Sequence, residues 1–103
     1  QENSANEVIV EEKKVVQRFL GVLAKSPSMA GYGKKDVEEK IKMGAAELVL
    51  VSESIEDEVF EQFEILCEEY GTKIKEVSVD TREGQQLKDL GGFAAILRYA
   101  VSE

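Results

Sequence analysis

Side chains able to do chemistry are few in this chain, and their types exclude more than they offer. There is no histidine and a single cysteine, Cys67. That removes a Ser-His-Asp or Cys-His nucleophile, most zinc sites and any internal disulfide. Carboxylates crowd one stretch at Glu56, Asp57, Glu58, Glu61 and Glu64, a composition that metal binding or paired acid–base catalysis would use. Their place at the start of a helix favours a plainer reading, a solvated face in the favourable field of the macrodipole. Cys67 falls beside the apolar stripe of that helix and reads as a small core hydrophobe, because no histidine exists to activate it.

Three further groupings stand out. Gly31-Tyr32-Gly33 precedes a helix as a phosphate loop would, but lacks the GxGxxG or GxxxxGK[ST] spacing that wraps backbone amides around a phosphate. It reads as a tight turn whose glycines supply unusual backbone angles. Gly84 stands in the first turn of a helix, where glycine costs roughly 0.5–1 kcal/mol relative to alanine. Close packing inside the domain or contact with a partner would each account for it. Arg98 and Tyr99 end an apolar run. Both types are enriched in interface hot spots, and a core tyrosine with a wet hydroxyl is the equal alternative.

The elements that position these residues follow from periodicity. From about Glu7 to Ala24, Val8, Val15, Val16, Phe19, Leu20, Val22 and Leu23 recur at helical spacing among charges. Pro27 stops that helix. Met29 to Tyr32 reads as a short strand, and Lys34 to Met43 as a second helix closed by Gly44. Ala46 to Val51 is a near-continuous apolar strand of the kind covered on both faces. Ser54 with Asp57 matches a capping box for a third helix, which carries Val59, Phe63, Leu66 and Tyr70 and ends at Gly71. Lys73 to Val79 reads as a strand. Asp80 or Thr81 caps a short helix with Leu87 and Leu90, Gly91-Gly92 ends it, and Phe93 to Val101 forms the last strand. Alternating helices and strands predict one α/β domain over residues 1–103, a three-layer α/β/α sandwich around a four-stranded sheet.

Composition narrows the function. Thirteen basic and 21 acidic residues leave a net charge of −8, which opposes nucleic-acid binding, where Lys and Arg supply most of the affinity. No apolar run approaches the roughly 20 residues of a membrane span. The polar start QENSANEV is not a signal peptide. The first residue is not Met, which suggests a piece of a longer chain. The expectation is a cytoplasmic protein, not an enzyme, with no cofactor and no metal.

The closing run EGQQLKDLGGFAAILRY, from Glu83 to Tyr99, resembles the end of the C-terminal domain of archaeal and eukaryotic class-1 peptide chain release factors. EEKKVVQRFL at Glu11 to Leu20 resembles that family's long first helix. AGYGKKDVEEKIKMGAAELVLVSE at Ala30 to Glu53 resembles its tyrosine-glycine turn, helix, corner and central strand. The Pelota rescue factors are close relatives with a similar ending. Gly91-Gly92, the order Glu83-Gly84-x-Gln86 and Tyr99 favour the release factor. The direct passage from Ser52 to Ile55 favours Pelota, because release factors of this type usually carry an insertion after the central strand.

The resemblance implies a mixed sheet like that of ribosomal protein L7Ae, and with it an alternative role as an RNA-binding module. It places codon reading and peptidyl-tRNA hydrolysis in other domains, whose Asn-Ile-Lys-Ser and Gly-Gly-Gln motifs are absent here. What it implies for this domain is docking: to a translational GTPase (elongation factor 1-alpha type or class-2 release factor), then to the ABC-type ribosome-recycling ATPase, with the ribosome as setting. The surface it marks combines Phe19, Met29, Tyr32 and Gly33 with Ile96, Leu97, Arg98 and Tyr99.

Overall fold

The structure, a computed structural model, describes the backbone of residues 4–99 and the side-chain surroundings of residues 13–99. Val8 therefore lies outside the described side chains, and Val101 outside the described residues. The elements run α1 (Ser4–Lys25), a 3-10 turn (Pro27–Met29), β1 (Ala30–Tyr32), α2 (Lys34–Lys42), β2 (Ala46–Ser52), α3 (Asp57–Tyr70), β3 (Lys73–Val77), α4 (Arg82–Asp89) and β4 (Phe93–Leu97).

Four strands form one mixed sheet in the order β1-β4-β2-β3. β4 runs antiparallel to both β1 and β2, whereas β2 and β3 are parallel and joined through α3. Two apolar clusters cover the two faces. Val37, Ile41, Phe63 and Cys67 of α2 and α3 pack on Val49, Val51, Phe93, Ala95 and Leu97. Val16, Phe19 and Leu87 of α1 and α4 pack on Leu50, Val77, Ala94 and Ile96. This is the expected three-layer α/β/α sandwich with a mixed four-stranded sheet. Phe63 and Phe93 stack with centroids 4.6 Å apart, a pair that adds about 0.5–1.5 kcal/mol beyond its buried area.

The register of β2 contains one irregularity. Ala46 pairs Leu97 while Leu48 pairs Ile96, so Glu47 is the extra residue of a bulge. The bulge reverses the side-chain alternation. Ala46 therefore joins Val49 and Val51 on the α2–α3 face despite its odd spacing from them.

Several local expectations need correction. α3 starts at Asp57 with Glu56 at the cap position and no side-chain capping bond. Ser54 bonds Ser52 Oγ instead, through its own hydroxyl at 2.9 Å and its amide at 3.2 Å, so it is engaged in the turn after β2. Tyr70 ends the α3 stripe exposed rather than covered. β3 stops at Val77 and β4 at Leu97, short of the ends expected at Val79 and Val101. Gly33 has φ +93°, but Gly31 has no positive φ and lies within β1. A Cβ on Gly31 would lie 2.5 Å from Asp36 Oδ2. Its small size makes room for that carboxylate, which accepts from the buried Lys40 ammonium at 2.9 Å.

Gly84 shows the packing reading of its glycine. A Cβ there would lie 1.7 Å from the carbonyl oxygen of Ser78. The first turn of α4 is thus seated directly on the β3–α4 connection, and Thr81 Oγ1 caps it by accepting from Gly84 N at 3.0 Å.

Candidate partner-docking surface

The eight residues marked by the resemblance do not make one patch. Phe19, Ile96 and Leu97 are 0%, 2% and 1% exposed. Phe19 and Ile96 pack under α1 and α4, and Leu97 faces the α2–α3 side. A partner docked on the folded domain meets none of these side chains, because helices cover both faces of the sheet at β4. Tyr32 is exposed but pairs with Ala94 near the start of β4, and Gly33 N donates to the Phe93 carbonyl at 3.0 Å. Arg98 and Tyr99 leave the opposite end of that strand. Met29 lies at this second end, next to Ala30, which pairs with Ile96.

Arg98 organises that end. Its Nε donates to the Ala46 carbonyl at 3.2 Å and its Nη2 to the Gly71 carbonyl at 3.1 Å. Its backbone amide donates to the Ala45 carbonyl at 2.7 Å. One side chain thus ties the α2–β2 turn, the α3–β3 turn and the end of β4 together. Gly71 can turn the chain here because it takes the left-handed conformation, φ +69°. Met43 and Tyr70, in the two turns that Arg98 bridges, are both exposed, and Tyr99 is 51% exposed. The sequence reading marked neither Met43 nor Tyr70 as a contact residue. Their signal is an apolar residue immediately before the glycine that ends a helix.

Two clefts adjoin this end and share Arg18. One, of about 250 Å³, is lined by Arg18, Glu47, Leu48, Gly71, Lys73 and Arg98. The other, of about 380 Å³, is lined by Arg18, Gly21, Val22, Lys25, Ser26 and Met29. Arg18 approaches Glu47 at 3.8 Å with both side chains half exposed, so the pair is weak and open to solvent.

Burial pushes the Cys67 thiol up to about 11, with Glu64 adding to the effect, which keeps it protonated and unreactive at neutral pH. The α3 carboxylates spread along a solvated helix. Among the described residues no three His, Cys, Asp or Glu side chains group to hold a metal ion, and no helix is long and apolar enough to cross a membrane.

Comparison with known proteins agrees with this architecture. The family model for eRF1 domain 3 matches residues 9–101. A Pelota homologue of Thermoplasma acidophilum is 37% identical over 98 residues, covering 94% of this chain and 28% of the relative. Peptide chain release factor subunit 1 of Methanosphaera stadtmanae is 29% identical over 136 residues, covering 90% of this chain and 33% of the relative. The crystal structure of the Thermoplasma acidophilum Pelota protein superposes with a TM-score of 0.81 at 33% identity, covering 94% of this chain and 31% of that one. The chain therefore spans about a third or less of each relative. With two helices on each face of a mixed sheet and a match along nearly its whole length, the chain belongs to the eRF1 domain 3 family, the C-terminal domain that Pelota and archaeal release factor 1 share.

Proposed function

We propose that this domain docks the translational GTPase of its factor, an elongation factor 1-alpha type protein or class-2 release factor, and later faces the ABC-type recycling ATPase on the ribosome. Codon reading and peptidyl-tRNA hydrolysis then belong to other domains of the factor. One observation carries the reading: Tyr99 stands half exposed beside an arginine whose guanidinium is fixed by two carbonyls, with Met43 and Tyr70 exposed in the turns it bridges. A guanidinium held in place loses little entropy on binding, and exposed aromatic and apolar side chains beside it supply area to bury.

Related structures support it. One related structure is described as a model of ribosome-bound archaeal Pelota and ABCE1, and its similar chain has a TM-score of 0.81 at 31% identity. Yeast Dom34, with a TM-score of 0.78 at 28% identity, is described as interacting with Hbs1. The test is Tyr99→Ala in the full-length factor, with Tyr32→Ala as the control at the far end of the sheet. Calorimetric titration with the cognate GTPase is expected to show a loss of about tenfold for Tyr99→Ala alone. Unchanged affinity with intact folding sinks the assignment.

A second reading, rescue by a Pelota-type factor rather than release, has its own support. The match to the release factor spreads over 136 positions for 90% of this chain, that to Pelota over 98 for 94%. The release factor thus carries extra residues that this chain and Pelota lack. Here β2 passes to α3 through Glu53, Ser54, Ile55 and Glu56 alone. A Gly-Gly-Gln motif in the preceding domain of the full-length gene would indicate release, and its absence rescue.

A further inference from the structure

The basic side chains around the two clefts that share Arg18 are concentrated beyond what the composition predicts. In a chain with 21 acidic and 13 basic residues, the clefts hold, among the described residues, Arg18, Lys25, Lys73 and Arg98 against one carboxylate, Glu47. The Lys73 side chain makes no ion pair or hydrogen bond among the described residues, and its backbone lies on the edge strand β3. Between the cations the floor is apolar, formed by Gly21, Val22 and Met29.

Gly21 adds an independent signal. It sits inside α1, where glycine costs about 1 kcal/mol relative to alanine, and a Cβ there would meet nothing within 4 Å. Among the described residues nothing uses its missing side chain. What the glycine provides is bare helix backbone, open to close approach from outside.

We propose that the two clefts together receive one acidic segment of a partner protein. An apolar side chain of that segment rests on Gly21, Val22 and Met29, and the carboxylates beside it pair with Lys25, Arg18, Lys73 and Arg98. Arg98 is suited to this role because its guanidinium is already oriented by the carbonyls of Ala46 and Gly71, and a planar fork held in place matches a carboxylate. An RNA strand fits less well. No aromatic residue lines either cleft to stack a base, and the net charge of −8 repels a long polyanion. The proposal rests on the reading that this end of the domain is where partners dock, and it names the chemistry of what docks there.

The probe is a labelled peptide with one leucine between pairs of glutamates, titrated into the chain at low salt and followed by fluorescence anisotropy. The expected result is binding that weakens with added salt and disappears when the glutamates are replaced by glutamine. Lys73→Glu should weaken it by about tenfold or more. Lys88→Glu, the same charge change on α4 away from both clefts, should weaken it by less than about twofold. Both side chains are exposed, so neither variant disturbs the core. Absence of binding overturns the proposal, as does equal loss in the two variants. Tighter binding of labelled oligouridine with the same dependence on Lys73 also overturns it, in favour of RNA. A chain that binds the GTPase but not the peptide overturns this proposal alone. One that binds the peptide but not the GTPase overturns the GTPase assignment alone.

Discussion

The Arg98 guanidinium donates from Nη2 to the Gly71 carbonyl at 3.1 Å, across 27 positions of the chain. The bond joins the end of a central strand to the left-handed turn after α3. It makes Arg98 part of the scaffold of the end it marks, as well as a group that a partner can reach.

Removing that side chain should therefore be felt in stability. Arg98→Ala loses two hydrogen bonds from a charged donor to backbone carbonyls, one of them solvent-exposed. A cost of about 1–2 kcal/mol is expected in urea unfolding. Lys should recover little of it, because a point charge cannot serve two carbonyls in the geometry of a fork. Full recovery by Arg98→Lys would show that charge alone matters here.

Two glycine-to-alanine changes should have opposite signs. Gly84→Ala places a methyl group on the Ser78 carbonyl oxygen, and a loss of about 3 kcal/mol is expected as α4 is forced off its seat. Gly21→Ala meets open space and should stabilise by about 0.5–1 kcal/mol through helix propensity. Chemical denaturation of both variants checks the pair. A stable Gly84→Ala protein would mean that α4 shifts without cost.

Cys67 should behave as a buried, protonated thiol. Its ionisation is raised from 9.0 to about 11 by burial and by Glu64. The stability linked to this thiol is full below pH 9 and is lost as pH climbs toward 11, because unfolding frees it to ionise. A disulfide reagent at pH 8 should label it slowly in the native chain and rapidly in urea. Fast native labelling would contradict the burial.

The link between α1 and α4 is open to titration. Gln17 Nε2 donates to Glu83 Oε2 at 2.9 Å, and this bond leads the causes that hold the Glu83 carboxyl below its ordinary range. Stability from a depressed carboxylate is present above the unfolded ionisation range and is lost as pH falls through the folded one. NMR titration of Gln17→Ala should show the Glu83 midpoint moving up toward 4.5. An unmoved midpoint would assign the depression to the hydrogen bond from the Glu83 backbone amide, with Lys13 and Arg82 behind it.

The fold was largely legible because each boundary has a local cause. Pro27 ends α1, Gly71 ends α3 in the left-handed region, and Thr81 caps α4. The Ser54 cap misled because a motif states which bonds a hydroxyl can make, and Ser52 offers a nearer one. The bulge at Glu47 was hidden within an apolar run, where alternation carries no information about faces. The same blindness affected the site. Phe19, Ile96 and Leu97 match the family pattern as core positions, and a strand covered on both sides gives no hint of which residues reach solvent. Met43 and Tyr70 become visible only when Arg98 is seen to bridge their turns, a relation between distant parts of the chain.

The position of β4 has a consequence for synthesis. It is the latest of the four strands to leave the ribosome, yet it lies inside the sheet, between β1 and β2. Among the described strands β1 has no other neighbour, so its sheet pairing waits for Phe93–Leu97 to arrive. A nascent chain paused before Phe93 holds a β2–β3 pair with both edges open and helices with little to cover. Closure of the sheet thus waits for Phe93–Leu97, and a chain that lacks this segment presents unpaired β1 and β2 edges rather than a slightly smaller sheet.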